Sequence, residues 1–121
     1  MRLYALRGAV TVTVNEADAI LEASEELMRE LLQRNQLAAE DLVSCIFTLT
    51  EDLDAEFPAV AARRIGLTSV PLLCAREIPV PGAMPKVIRV LLHAYAPNGT
   101  EPQHVYLRDA QGLRLDLSGA Q

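Results

Sequence analysis

The sequence predicts an α+β fold: one mixed β-sheet with helices packed on one of its faces. Three observations predict it. Five stretches are apolar and β-branched enough to be strands. A long amphipathic helix separates the first two, and a short proline-opened helix separates the second from the third. The 121 residues are one domain's worth of chain, 1–121, with one core and no internal repeat.

Residues 2–14 form the first strand, where Thr and Val alternate after Arg7. Asn15 is a good N-cap, with Asp18 three residues on in a capping-box-like position. A helix over 16–35 follows. Ile20, Leu21, Ser24, Leu27, Met28, Leu31 and Leu32 recur at helical spacing, and Glu16, Asp18, Glu22, Glu25, Glu26 and Glu30 fill the opposite, solvated side. Leu42–Leu49 reads as a buried strand. Residues 50–56 are acidic and loop-like. Pro58 opens a short helix that Gly66 stops. Ser69–Cys74 is the third strand. Ile78-Pro79-Val80-Pro81-Gly82 cannot be helical. Residues 86–96 are a long strand, and His104–Leu107 a short last one. The chain after Gly112 is extended, and about 112–121 forms a mobile tail. The order is β-α-β-α-β-β-β.

Composition narrows the function. Half the residues are hydrophobic but only 4% are aromatic, so the core is aliphatic. That apolar fraction is high for so short a chain and points to surface buried between subunits, which would also cover the second sheet face. No apolar run is long enough to span a bilayer, and the N-terminus reads as a strand rather than a signal peptide. Cys45 and Cys74 stand far apart and outside any CxxC pattern, which suits a reducing cytoplasm. Residues 15–56 hold 12 of the 16 acids against Arg29 and Arg34, a net of −10. The rest of the chain carries nine basic groups, among them the single arginines Arg7, Arg63, Arg64, Arg76, Arg89, Arg108 and Arg114. With no basic run and little aromatic interleaving, nucleic acid is a poor partner. Single arginines in apolar settings suit a small anion.

Arg89 is the sharpest case, because it lies inside the strand-like stretch KVIRVLLH. A guanidinium keeps its charge and must find a partner. By alternation it shares a face with Val87, Leu91, His93 and Tyr95, opposite Ile88, Val90, Leu92 and Ala94. Arg7 is similar, in an apolar strand just before Gly8. The plain reading of each is a structural ion pair. Two such arginines in two strands also fit one anion site. Cys74 and Glu77 lie three apart near a strand end, the first most simply a buried inert thiol and the second a surface acid. No glycine-rich phosphate loop, HExxH, GxSxG or paired metal-ligand motif is present.

Taken together, several stretches resemble one family from end to end. They are Arg7-Gly8-Ala9, Asp52-Leu53-Asp54-Ala55-Glu56-Phe57-Pro58-Ala59, Val70-Pro71-Leu72-Leu73-Cys74-Ala75-Arg76-Glu77, Ile88-Arg89-Val90-Leu91, His104-Val105-Tyr106-Leu107 and Leu113-Arg114-Leu115-Asp116-Leu117. The family is the trimeric, pseudo-α/β-barrel class of chorismate mutase. The resemblance departs at Val60, where some members have lysine, and at Leu115, where proline is common.

The resemblance implies a homotrimer with a site in each cleft between subunits. It implies the isomerisation of chorismate to prephenate in aromatic amino-acid biosynthesis, without cofactor, metal or covalent intermediate. It also implies roles. Arg89 meets the ether oxygen and a carboxylate. Arg7 and Tyr106 hold the side-chain carboxylate. Glu77 and Cys74 receive the ring hydroxyl. Phe57, Ala59, Leu73 and Leu113 are apolar walls, and Arg63 and Arg114 sit at the rim. Two other readings remain at this point: a trimeric enamine/imine deaminase, and a non-catalytic module that binds an anionic metabolite.

Overall fold

A computed structural model describes residues 1–113. Its elements are β1 (Arg2–Thr11), α1 (Ala17–Arg34), β2 (Leu42–Leu49), α2 (Pro58–Arg64), β3 (Leu72–Arg76), β4 (Val87–Ala96) and β5 (Val105–Leu107), with 3-10 turns at Ala39–Asp41 and Arg108–Ala110. The order is the one predicted. The strands form one sheet, β3-β2-β4-β1-β5.

Connectivity explains why both helices share a face. β4 runs antiparallel to both β1 and β2, so those two are parallel to each other with β4 inserted between them. β3 is parallel to β2. The crossovers β1-α1-β2 and β2-α2-β3 both step in the same direction along the sheet. Parallel crossovers share one hand, so both helices fall on the same side. There α1 and α2 touch, and Ile20, Leu27, Met28 and Leu31 pack on Leu6, Phe47, Ile88, Val90 and Leu92. Gly8 lets them meet. A Cβ there would come within 2.9 Å of Leu31 Cδ1 and 3.0 Å of Leu27 Cδ1. The glycine therefore serves the helix side of β1, not the arginine before it.

Several boundaries move for identifiable reasons. β1 stops at Thr11 rather than 14 because its partner runs out. Val12 N donates to Lys86 O at 2.9 Å, and Lys86 then turns away at φ 50°. Asn15 is not the N-cap. Glu16 takes that position without a side-chain cap. Asn15 Oδ1 instead accepts from the amides of Asp54 and Ala55, and its Nδ2 donates to Asp54 Oδ1 at 2.8 Å. The third strand lies at Leu72–Arg76 rather than 69–74. Pro71 has no N–H to offer a ladder, while Glu77 N still donates to Leu49 O at 2.9 Å. Residues 111–113 are helical, not extended. The rest of the expected tail, with Arg114 and Leu115, lies outside the described residues.

The face away from the helices carries a smaller cluster. Ala9, Val87 and Ala110 are buried there, with Met84, Tyr106 and Leu113 against them. Alternation puts Ser44 and Thr48 on this face and Cys45, Phe47 and Leu49 in the main core, and a bulge between Leu42 and Ser44 returns Leu42 to that core as well.

Candidate active site

Strand register sets a row of side chains across the helix-free face. Thr48 of β2 pairs with Ala75 of β3 on one side and Arg89 of β4 on the other. Arg89 pairs with Ala9 of β1, and Ala9 with Tyr106 of β5. Alternation adds Arg7, two residues before Ala9, and Glu77, two residues beyond Ala75. Alanine at 9 leaves a floor between the two polar groups flanking it. The result is a cleft of about 290 Å³ lined by Arg7, Ala9, Ile46, Thr48, Arg89 and Tyr106, among others.

The charged partner of Arg89 is Glu77. Its Oε2 lies 3.1 Å from Arg89 Nε, and the side chains are 17% and 38% exposed respectively. The contact is ionic without being an aligned hydrogen bond, for the buried Nε has no hydrogen-bond partner. Glu77 Oε2 accepts instead from Thr48 Oγ1 at 2.8 Å. Tyr106 OH is likewise buried without a partner. Buried polar groups are rarely left so. Two of the three such side-chain atoms among the described residues thus belong to this cleft, the third being Ser24 Oγ inside α1.

Arg7 is held from its backbone. Its N–H donates to His104 Nδ1 at 3.0 Å, which puts the ring proton on Nε2. The pKa of His104 is lowered by partial burial and, secondarily, by the charge of Arg7. Both causes favour the neutral ring that this bond requires.

The remaining sequence candidates form a second group. Phe57 is 63% exposed before α2, and Arg63 is exposed on its last turn. Leu73, 61% exposed, lies on the cleft's face but out on the edge strand. Cys74 pairs with Phe47 and packs, half-buried, on the helix-side core. Ala59 is buried in that same core. Leu113 packs beside Tyr106. One chain therefore brings Arg7, Glu77, Arg89 and Tyr106 together, with Leu113 adjacent. It leaves Phe57, Arg63 and Cys74 apart from them.

Two of the isolated arginines hold the fold instead. Arg76 donates to the carbonyls of Thr50 and Leu53, both at 3.0 Å. Arg108 bonds Thr11 O and pairs with Glu26 at 3.0 Å. The acidic loop is structural as well: both carboxylate oxygens of Asp52 accept from the amide of Lys86. Cys45 is a buried thiol with its pKa pushed up to about 11 by desolvation. Thr48 was not singled out by sequence reasoning. Its signal is the alternation Ser44, Ile46, Thr48 against Cys45, Phe47, Leu49, which places a hydroxyl on the face of Arg89.

Comparison with known proteins places the chain in a family. The family model described as chorismate mutase type I matches residues 3–117. A chorismate mutase AroH from Thermus thermophilus is 50% identical, over 96% of this chain and 97% of that protein. A second, from Bacillus subtilis, is 35% identical over 98% and 94%. A solved chorismate mutase from Clostridium thermocellum superposes with a TM-score of 0.87 at 45% identity, covering 90% of this chain and 98% of that one. With the sheet order, the paired arginines and these matches in hand, the chain belongs to the type I chorismate mutase family.

Proposed function

We propose that the cleft on the helix-free face binds chorismate and converts it to prephenate, with Arg89 as the principal catalytic residue. The observation that carries this assignment is that Arg7, Arg89 and Tyr106 line one cleft, in which the buried Arg89 Nε and Tyr106 OH make no hydrogen bond. Chorismate is a dicarboxylate bearing an enolpyruvyl ether. The reaction breaks one C–O bond and forms one C–C bond within the same molecule. It needs no proton transfer and no external electrons.

Two effects suffice. Arg7 and Tyr106 grip the side-chain carboxylate and fold it over the ring, raising the population of the reactive conformer. Negative charge grows on the ether oxygen as the C–O bond breaks. A guanidinium fixed in place stabilises that charge more in the transition state than in the ground state. Glu77, on the far side of Arg89, receives the ring hydroxyl and keeps the guanidinium oriented.

The second group of residues belongs to the same reading through a homotrimer. Phe57, Leu73 and Cys74 of one subunit would wall the cleft of its neighbour, with Arg63 and Arg114 at the rim. The exposure of Phe57 and Leu73 in the single chain supports such a contact. A cytoplasmic location fits two free cysteines. Among the described residues no helix is long and apolar enough to cross a membrane.

The test is direct. Purified protein mixed with chorismate should consume its ultraviolet absorbance and yield prephenate. Sedimentation should give three chains per particle. A folded trimer that binds chorismate without turnover would leave a sensor in place of an enzyme.

A further inference from the structure

We infer that Thr48 is a positioning residue: its hydroxyl holds the Glu77 carboxylate out of alignment with Arg89 Nε, leaving the guanidinium directed at substrate. The inference rests on the active site proposed above.

Three side chains from neighbouring strands meet at one oxygen. Glu77 Oε2 receives the Thr48 hydroxyl at 2.8 Å and stands 3.1 Å from Arg89 Nε. Only the first contact is an aligned hydrogen bond, although the second would join opposite charges. Left to itself, a carboxylate beside a guanidinium turns to meet it in the plane of the fork, commonly through two parallel bonds. Here it does not. Thr48 is directly opposite Arg89 in the β2–β4 register, on the same face. Its backbone is fixed by β3 on one side and β4 on the other. The hydroxyl therefore acts from a rigid post, whereas Glu77 lies just past the end of an edge strand.

The division has a purpose in the reaction. An Arg89 fully forked onto Glu77 would spend its donors and much of its field on a resident anion. Substrate would then have to compete with that anion for each bond. With Glu77 anchored to Thr48, Arg89 keeps its orientation from the nearby charge while its Nε gives no aligned hydrogen bond to that carboxylate. Threonine suits the position. It offers one donor at fixed reach, and its β-branch suits a strand.

Thr48→Val preserves shape and strand propensity while removing the donor. Losing a hydrogen bond to a charged group predicts a fall in kcat/KM of roughly 10- to 100-fold, carried mainly by kcat because alignment matters most in the transition state. Thr48→Ser should recover activity to within a few-fold. Ser44→Ala, four residues away on the same strand and bonded to His93, should match the parent.

A readout independent of turnover is the Arg89 Nε–Hε signal in a nitrogen-edited NMR spectrum of the full chain. In Thr48→Val it should move downfield as Glu77 swings onto Nε. An unmoved signal would overturn the proposal, as would equal activity in Thr48→Val and the parent. A parent without chorismate turnover would instead remove the assigned reaction, and the NMR signal would still decide whether Thr48 positions Glu77.

Discussion

Replacing Arg89 separates catalysis from folding by magnitude. The Arg89 side chain is 38% exposed and its ion partner 17%. Solvent screening at such a site limits what the pair adds to stability to about 1 kcal/mol. For a domain of this size that lowers Tm by about 4–8 °C at most. The rate effect expected from the proposed role is far larger. Two unit charges about 4 Å apart, at an effective dielectric of about 20, attract by roughly 4 kcal/mol, the upper bound for the partial charge that develops on the ether oxygen. At 1.36 kcal/mol per tenfold, Arg89→Ala should lose up to about a thousandfold in kcat/KM. Arg89→Lys keeps the charge but not the planar fork, and one preorganised donor is worth about 10²–10³. Its expected loss is therefore about a hundredfold, with stability almost unchanged. The assay is chorismate consumption beside thermal melting of each variant. Arg89→Lys within threefold of the parent would refute the reasoning. So would a loss of activity that merely follows the fraction unfolded.

Further outcomes follow from other parts of the molecule. Gly8→Ala forces a methyl against Leu31 and Leu27, so urea denaturation should show a loss of about 1–3 kcal/mol, with turnover per folded molecule retained. Cys74→Ser should keep most activity, since the reaction needs no nucleophile, and complete loss would argue for covalent chemistry. Native alkylation near pH 8 should label Cys74 well before Cys45, whose buried thiol is pushed up to about 11; simultaneous labelling would contradict that burial. The folded pKa of His104 is lowered, so its contribution to stability is complete above the unfolded value of about 6.5 and is lost as pH falls towards the folded one. The effect is small because the ring is largely exposed. His104→Gln should flatten that part of the urea-midpoint profile, and an unchanged slope would exclude His104 as its source.

The element order and the face of the 86–96 strand that carries Arg89 were legible in the sequence because they rest on periodicity. Leu42–Leu49 was bounded at the same residues in both readings, since apolar β-branched runs between turn signals leave little choice. Asn15 misled because its local pattern suits a cap, whereas a loop 39 residues away claims the side chain. β3 was displaced because its register comes from β2, which no local feature of 69–76 reports. In the candidate site, the partner of Arg89 could not be read at all. Glu77, Thr48 and Arg89 are scattered along the chain and meet only through the order β3-β2-β4. Cys74 and Glu77 look like neighbours in sequence, yet strand alternation sends them to opposite faces.

The order of strands also divides the cleft by how readily its parts can open. β4 is the middle strand, hydrogen-bonded along both edges. Backbone amides in such a strand are among the last to exchange with solvent, so the backbone that carries Arg89 stays in place for as long as the fold exists. Glu77 and Tyr106 come from the two margins of the sheet, where short ladders fray at far lower opening energies. Warming should therefore erode amide protection around β3 and β5 first. Catalysis would fade through loss of the groups around a cation that has not moved.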